Sequence, residues 1–89
     1  MTLRTTNRFD KAFARLAVRD QRRVEAALTL FMDQPFHPAL KNHGLTGKLR
    51  GLRAISAGYD LRIVYADGQS QERRRINLCE LTNLTVPLQ

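Results

Sequence analysis

The chain has 89 residues, a length that forms one domain and excludes a multidomain architecture. Fifteen Lys and Arg against eight Asp and Glu leave a net charge of +7, which indicates a polyanionic partner, either a nucleic acid or an acidic protein segment. No apolar run approaches the roughly 20 residues of a membrane helix, and the start of the chain lacks the apolar stretch of a signal peptide. The sequence therefore predicts a single cytoplasmic domain, residues 1–89, with no membrane association.

The first part of the chain predicts a strand and a helix. Residues 2–6 favour a short strand, after which Thr6 or Asn7 is available to cap a helix. Apolar residues then recur at i, i+4 and i+7, a spacing that is typical of a helix with one apolar stripe. The stripe consists of Phe9, Phe13 and Leu16.

A second helix is predicted for residues 19–33, after a break near Val18. It must end by Gln34, because Pro35 cannot donate a backbone hydrogen bond and restricts the residue before it. Residues 34–47 are therefore predicted as a loop. The apolar face of the second helix comprises Val24, Ala27, Leu28 and Phe31.

Three further strands are predicted in the second half of the chain, at residues 49–56, 59–66 and 73–81, with a turn at Asp67-Gly68 between the last two. The order β-α-α-β-β-β predicts an α+β fold, an antiparallel sheet with a helical hairpin packed on one face. The other face of the sheet is then partly exposed to solvent and carries charged side chains. In the middle strand, alternation directs Leu61, Ile63 and Tyr65 toward the helices, and Asp60, Arg62 and Val64 away from them.

His43 is the first candidate for a catalytic residue. It lies in the predicted loop just ahead of the sheet, flanked by Lys41 and Lys48. An imidazole titrates near neutrality and therefore transfers protons under cellular conditions. The alternative is a loop histidine that caps a strand or contacts water.

Asp60 and Arg62 lie two residues apart on one predicted strand, so both are expected to project from the same face. An arginine there is suited to binding the phosphate at which an RNA backbone is cleaved. It would also stabilise the charge that develops when the neighbouring 2'-hydroxyl attacks that phosphate. Asp60 is expected to orient this arginine or to take part in proton transfer. The alternative is an ion pair with a structural role.

Further cations on the predicted sheet are suited to holding an RNA backbone, although a solvated edge that prevents unwanted strand pairing is an alternative. The sequence has no phosphate-binding glycine loop and no Ser/His/Asp arrangement. Its single cysteine, Cys79, has no metal-ligand spacing around it and is expected to be buried. We therefore expect no cofactor and no metal. The RNA-binding candidates are Lys41, Lys48, Arg50, Arg53 and Arg74.

Over nearly its whole length the sequence resembles the RelE/ParE superfamily, in particular the RelE/StbE and YafQ-like branch of type II toxin-antitoxin systems. One matching segment is 37–47, where family members show a pattern like hP-L-x-x-H-x-L-x-G. The other is 60–65, where they show D-x-R followed by two aliphatic residues and an aromatic one. The matched residues are His37, Pro38, Leu40, His43, Leu45, Gly47, Asp60, Arg62, Ile63, Val64 and Tyr65.

The resemblance implies the fold predicted above and a toxin that enters the ribosomal A site. Such toxins cut mRNA by in-line attack of a 2'-hydroxyl on the adjacent phosphate, without a metal. On this chain the roles would be general base for His43 and phosphate binding for Arg62, with Asp60 as a third catalytic residue. The resemblance also implies a cognate antitoxin that covers the basic groove, and operator DNA binding only through the antitoxin complex.

The sequence departs from the family pattern at positions that supply proton-transfer or aromatic groups. Ser56 replaces a strand histidine, Leu61 replaces an aromatic residue, and Leu84 replaces the histidine expected to be the general acid. Leu88 stands where the family commonly has a terminal aromatic residue. Two alternatives therefore stay open: a ParE-like, non-enzymatic inhibitor of DNA gyrase, and a degenerate toxin that retains only antitoxin binding.

Overall fold

The computed structural model describes residues 2–58, 60–69 and 74–83. These residues contain strands β1 (Thr2–Thr5), β2 (His43–Gly44), β3 (Arg53–Ser56), β4 (Leu61–Gln69) and β5 (Arg74–Asn83), with helices α1 (Asn7–Arg15) and α2 (Val18–Asp33). The strands form one sheet in the order β1-β5-β4-β3-β2. None of the helices in these ranges has the length and hydrophobicity of a membrane-spanning segment.

The predicted α+β fold, with a helical hairpin on one face of the sheet, is confirmed. The sheet is mixed rather than antiparallel, because β1 pairs with β5 in parallel orientation. The two strands are far apart in sequence, as a parallel pair requires, with both helices and the other strands between them. The predicted loop 34–47 also contains a short additional strand, β2, which pairs with β3 in antiparallel orientation.

Helix α1 begins at a cap that the sequence predicted. The Thr6 hydroxyl oxygen accepts a hydrogen bond from the backbone N–H of Phe9 at 3.1 Å, an interaction that stabilises a helix by about 1 kcal/mol. The same hydroxyl donates to the carbonyl oxygen of Cys79 at 2.7 Å and so joins the helix to β5. Helix α2 ends at Asp33 with Gln34 as its C-cap, as the prolines that follow predicted.

The hydrophobic core lies between the two helices and one face of the sheet. Leu61, Ile63 and Tyr65 face the helices, as alternation along β4 predicted, and each is at most 1% exposed. Phe31 of α2 meets Tyr65 edge to face, with 5.0 Å between the ring centroids. The other core residues are Phe9, Val24, Ala27, Leu40, Ile55, Ala57, Ile76, Leu78 and Leu81.

Strand β3 is shorter than the strand predicted at residues 49–56, because it begins only at Arg53. The segment before it forms a short 3₁₀ helix at Gly47–Leu49, and Gly51 then adopts a φ of 96°. A positive φ is open to glycine but does not occur in a regular strand. The first half of the predicted strand is therefore a turn.

Strand β4 is longer than the strand predicted at residues 59–66 and continues to Gln69. The turn predicted at Asp67-Gly68 is wrong, since both residues pair with β5. Tyr59 and Arg73, at which two of the predicted strands begin, lie outside the described residues.

Candidate active site

The sheet face that points away from the helices carries a row of paired residues across four strands. His43 pairs with Ala54, Ala54 with Val64, and Val64 with Glu80. Paired residues on neighbouring strands project from the same face, so this row lies opposite the core. Ala54 and Val64 are buried, and they form an apolar floor between the ionisable residues at the two ends of the row.

His43 is exposed, and the backbone orients its imidazole. Nδ1 lies 2.8 Å from the carbonyl oxygen of Lys41. Because a carbonyl oxygen can only accept a hydrogen bond, Nδ1 carries a proton and donates it. Nε2 is therefore the nitrogen that meets a ligand, as an acceptor in the neutral ring and as a donor in the imidazolium.

Lys41 holds its carbonyl group toward His43 through an unusual backbone conformation. Its φ of 49° and ψ of 43° are left-handed, and among the described residues it is the only one other than glycine with a positive φ. This conformation costs a residue with a side chain roughly 1–2 kcal/mol. Lys41 is the C-cap of the 3₁₀ helix Pro38–Leu40, and a left-handed residue is common where a helix ends.

Arg62 lies on the same sheet face as His43. It is two residues along β4 from Val64, the residue of the row on that strand. It pairs with Ser56 on β3 and with Thr82 on β5. A strand spacing of about 4.8 Å and a rise of about 3.3 Å per residue place the Cα atoms of His43 and Arg62 roughly 12 Å apart. Arg62 is half-buried, and within the described part of the chain its guanidinium has no hydrogen bond or ion pair. It is therefore available to an anion that lies between the two side chains.

Asp60 does not project with Arg62 from this face, so that part of the prediction is wrong. The residue precedes β4, and strand alternation therefore does not determine its direction. Its carboxylate lies 3.3 Å from Nη1 of Arg23 on α2, and Asp20 lies 3.5 Å from the same nitrogen. Asp60 thus joins the turn before β4 to helix α2.

Arg53 also lies on the helix side of the sheet, where it pairs with Tyr65. Its Nε donates to Oδ1 of Asn42 at 3.0 Å, and its guanidinium lies 5.6 Å from the centre of the Phe36 ring, within cation-π range. The Tyr65 hydroxyl donates to the same Oδ1 at 3.0 Å, while Nδ2 of Asn42 donates to the carbonyl of Pro35. Arg53 thus holds the segment before β2 against the sheet, on the face opposite His43.

The remaining predicted RNA-binding residues lie in two places. Lys48 and Arg50 are exposed in the connection between β2 and β3, beside the edge of the sheet that carries His43. Arg74 begins β5, but its side chain is outside what the structure describes. Two cations that the prediction did not include, Arg4 on β1 and Arg75 on β5, lie by register on the sheet face that carries Arg62.

Glu80, which was not among the predicted site residues, also lies on this face of the sheet, because a β-bulge changes the direction in which it projects. Simple alternation from Leu78 would direct Glu80 toward the core. The register instead shifts between Val64 and Tyr65, so that Cys79 is the extra residue and Glu80 pairs with Val64. Glu80 is partly buried, and its carboxylate has no hydrogen bond or ion pair among the described residues. Cys79 is itself only partly buried, contrary to the prediction.

The sequence matches no protein-family model and no curated protein. Solved structures, however, match it over almost its whole length. The YoeB/ParE toxin from Agrobacterium tumefaciens has a TM-score of 0.76 at 19% identity and covers 93% of this chain and 98% of its own. YafQ from E. coli strain BL21(DE3) has a TM-score of 0.71 at 17% identity and covers 93% of this chain and 92% of its own. This chain has the fold of the RelE/ParE toxins.

Two further similarities are consistent with this fold. The protein HP0894 from Helicobacter pylori has a TM-score of 0.67 at 25% identity and covers 96% of each chain. YafQ also matches where it is bound to DinJ, in an E. coli toxin-antitoxin complex. The fold that the sequence resemblance implied is therefore confirmed.

On this RelE/ParE fold, the face away from the helices combines groups that suit phosphate chemistry. Arg62 provides a cation, while His43 and Glu80 provide two groups that can exchange protons. Among the described residues, no group of three or more His, Cys, Asp or Glu side chains is placed to hold a metal ion.

Proposed function

We propose that this chain is the toxin of a type II toxin-antitoxin module and that it cleaves mRNA on the ribosome. The toxin role is supported by the similarity of its fold to the YoeB/ParE toxin and to YafQ in complex with DinJ. Cleavage is supported by one observation, that an oriented His43 and an Arg62 without an ion-pair partner in the described chain share one face of the sheet. A ribosomal target places the action in the cytoplasm.

In the proposed reaction the 2'-oxygen of one nucleotide attacks the adjacent phosphorus and the bond to the 5'-oxygen breaks. Arg62 binds the non-bridging oxygens and stabilises the charge that develops on them. The reaction needs two proton transfers, one from the 2'-hydroxyl and one to the 5'-oxygen. His43, the predicted general base, supplies one of these transfers at Nε2, a contribution of roughly 10²–10⁴-fold in rate.

RNA on either side of the cleaved bond is bound by exposed cations. Lys41, Lys48 and Arg50 lie near His43 along the edge of the sheet, where they can contact the phosphate backbone. Asp60 is not included in the catalytic set, because Arg23 already binds its carboxylate.

A cognate antitoxin is the proposed protein partner. An antitoxin segment with acidic side chains would cover the same cations and exclude RNA from Arg62. Any operator DNA would then be bound through the antitoxin, in a complex of the two proteins.

The test is to induce the chain in cells and to map mRNA 5' ends at translating ribosomes. His43→Ala and Arg62→Ala are expected to lower cleavage roughly 10²-fold or more, whereas Arg19→Ala, which removes an exposed cation from α2, should cleave like the wild type. Growth arrest without new mRNA ends would contradict the proposal. Arrest with DNA damage that persists in His43→Ala would support gyrase inhibition, and harmless expression with tight antitoxin binding would indicate a degenerate toxin.

A further inference from the structure

The row of residues that begins at His43 ends at a carboxylate. Three strand spacings of about 4.8 Å separate His43 on β2 from Glu80 on β5, which places their Cα atoms about 14 Å apart. Between them lie only Ala54 and Val64, which are 0% and 3% exposed. Two longer ionisable side chains therefore stand at opposite ends of a small apolar floor.

Arg62 borders the same space. It lies on β4 two residues from Val64, so it is a diagonal neighbour of Glu80, at about 7–8 Å between Cα atoms. A carboxylate alone would repel a phosphate, and the adjacent guanidinium offsets that repulsion. A carboxylate, a guanidinium and an imidazole thus lie on one sheet face, around Ala54 and Val64.

We propose that Glu80 is the general base of the cleavage reaction and that His43 is its general acid. This inference rests on the proposed function. The Glu80 carboxylate removes the proton of the 2'-hydroxyl as the 2'-oxygen bonds to phosphorus. The bond from phosphorus to the 5'-oxygen breaks, its electron pair stays on that oxygen, and the oxygen takes the proton from Nε2 of the His43 imidazolium. The products are a 2',3'-cyclic phosphate and a 5'-hydroxyl.

The division of roles follows from the ordinary chemistry of the two groups. An ionised carboxylate has only acceptor oxygens and can take up the proton of the 2'-hydroxyl, whereas a protonated imidazole can donate a proton from Nε2 to the leaving oxygen. The hydrogen bond from Nδ1 of His43 to the Lys41 carbonyl is compatible with the imidazolium, in which both ring nitrogens donate. The proposal therefore changes the role that the sequence assigned to His43 from base to acid.

The same assignment accounts for a departure from the family pattern. Leu84, where that pattern places the general acid, cannot transfer a proton and lies outside the described residues. Because His43 supplies the acid and Glu80 the base, the mechanism needs no ionisable group at position 84.

The test is single-turnover cleavage of mRNA on programmed ribosomes by purified protein. Glu80→Gln, which keeps the side chain's size, should lower the rate roughly 10²-fold or more without weakening mRNA binding, and Glu80→Asp should recover part of the rate. The matched control is Glu25→Gln, the same change at an exposed position on α2, which should leave the rate unchanged. A wild-type rate for Glu80→Gln, while His43→Gln and Arg62→Ala lose activity, would overturn this inference and leave the proposed function intact.

A second substrate distinguishes the general acid from the general base. When sulfur replaces the 5'-oxygen at the cleaved bond, the leaving thiolate needs no proton, so loss of the general acid is tolerated. This substrate should restore the rate of His43→Gln toward that of the wild type, but not the rate of Glu80→Gln. Rescue of Glu80→Gln alone would overturn the assignment, and no cleavage by the wild type would overturn the proposed function together with it.

Discussion

The hydroxyl of Tyr65 donates a 3.0 Å hydrogen bond to the side-chain oxygen of Asn42. Tyr65 is 1% exposed and lies in the core, whereas Asn42 immediately precedes His43. Asn42 Oδ1 also accepts a hydrogen bond from Arg53. These contacts join the hydrophobic core to the short segment in which the Lys41 carbonyl meets the imidazole, so the core itself positions the candidate catalytic residue.

Replacing Asn42 with Ala is expected to lower the free energy of unfolding by about 2–3 kcal/mol, because the buried Tyr65 hydroxyl then has no acceptor. Tyr65→Phe removes only the donor and should cost about 1 kcal/mol. Urea unfolding of both variants and of the double variant measures these terms. The double variant should lose less than the sum of the single losses, and simple additivity would contradict the shared bond.

Replacing Lys41 with Gly is expected to raise the free energy of unfolding by about 1 kcal/mol, since glycine adopts a φ of 49° without the cost that a side chain brings there. Lys41→Val should destabilise the protein, because a β-branched side chain is least tolerated in this conformation. Thermal and urea unfolding of the two variants provide the comparison. Equal stability of both would show that the backbone at this position carries no strain.

Asp60 and Arg62 are expected to respond differently to removal of their charge. Asp60→Asn breaks a partly exposed ion pair with Arg23 and should cost less than about 1 kcal/mol of stability, with mRNA cleavage retained. Arg62→Gln should leave stability almost unchanged while cleavage falls roughly 10²-fold or more. Urea unfolding measures the stability of each variant, and an mRNA cleavage assay measures its activity. Loss of cleavage in Asp60→Asn without loss of stability would return this residue to the catalytic set.

Lys48 and Arg53 provide a matched pair of predicted RNA-binding residues in different environments. Lys48→Gln is expected to weaken RNA binding and to reduce its salt dependence by about one phosphate contact, with stability changed by less than about 0.5 kcal/mol. Arg53→Gln should instead lower stability by about 1–2 kcal/mol, because it removes the hydrogen bond to Asn42 and the contact with Phe36. Binding titrations at several salt concentrations, together with urea unfolding, distinguish the two. The opposite pattern would mean that Arg53 turns toward RNA in the complex.

The helices and the central strand could be predicted from the sequence because local signals determine them. Apolar residues at helical spacing, the cap at Thr6 and the prolines after Gln34 all act within a few residues, and the structure confirms their effects. The β-bulge at Cys79 has no such signal. It depends on how β5 fits beside β4, and alternation counted from Leu78 would direct Glu80 to the wrong face.

The composition, motifs and family resemblance of this sequence were sufficient to predict a basic α+β fold with a helical hairpin on one face of a sheet and to name Arg62 as a candidate, because residue type and spacing along one element can be read directly from the chain. Only the tertiary structure decided which ionisable groups share a surface. In the structure Asp60 forms an ion pair with Arg23, and Arg53 donates a hydrogen bond to Asn42. Glu80 lies in the row that begins at His43. The physical reason is that these contacts join residues far apart in the chain, and their geometry is determined by strand register and helix packing rather than by local spacing.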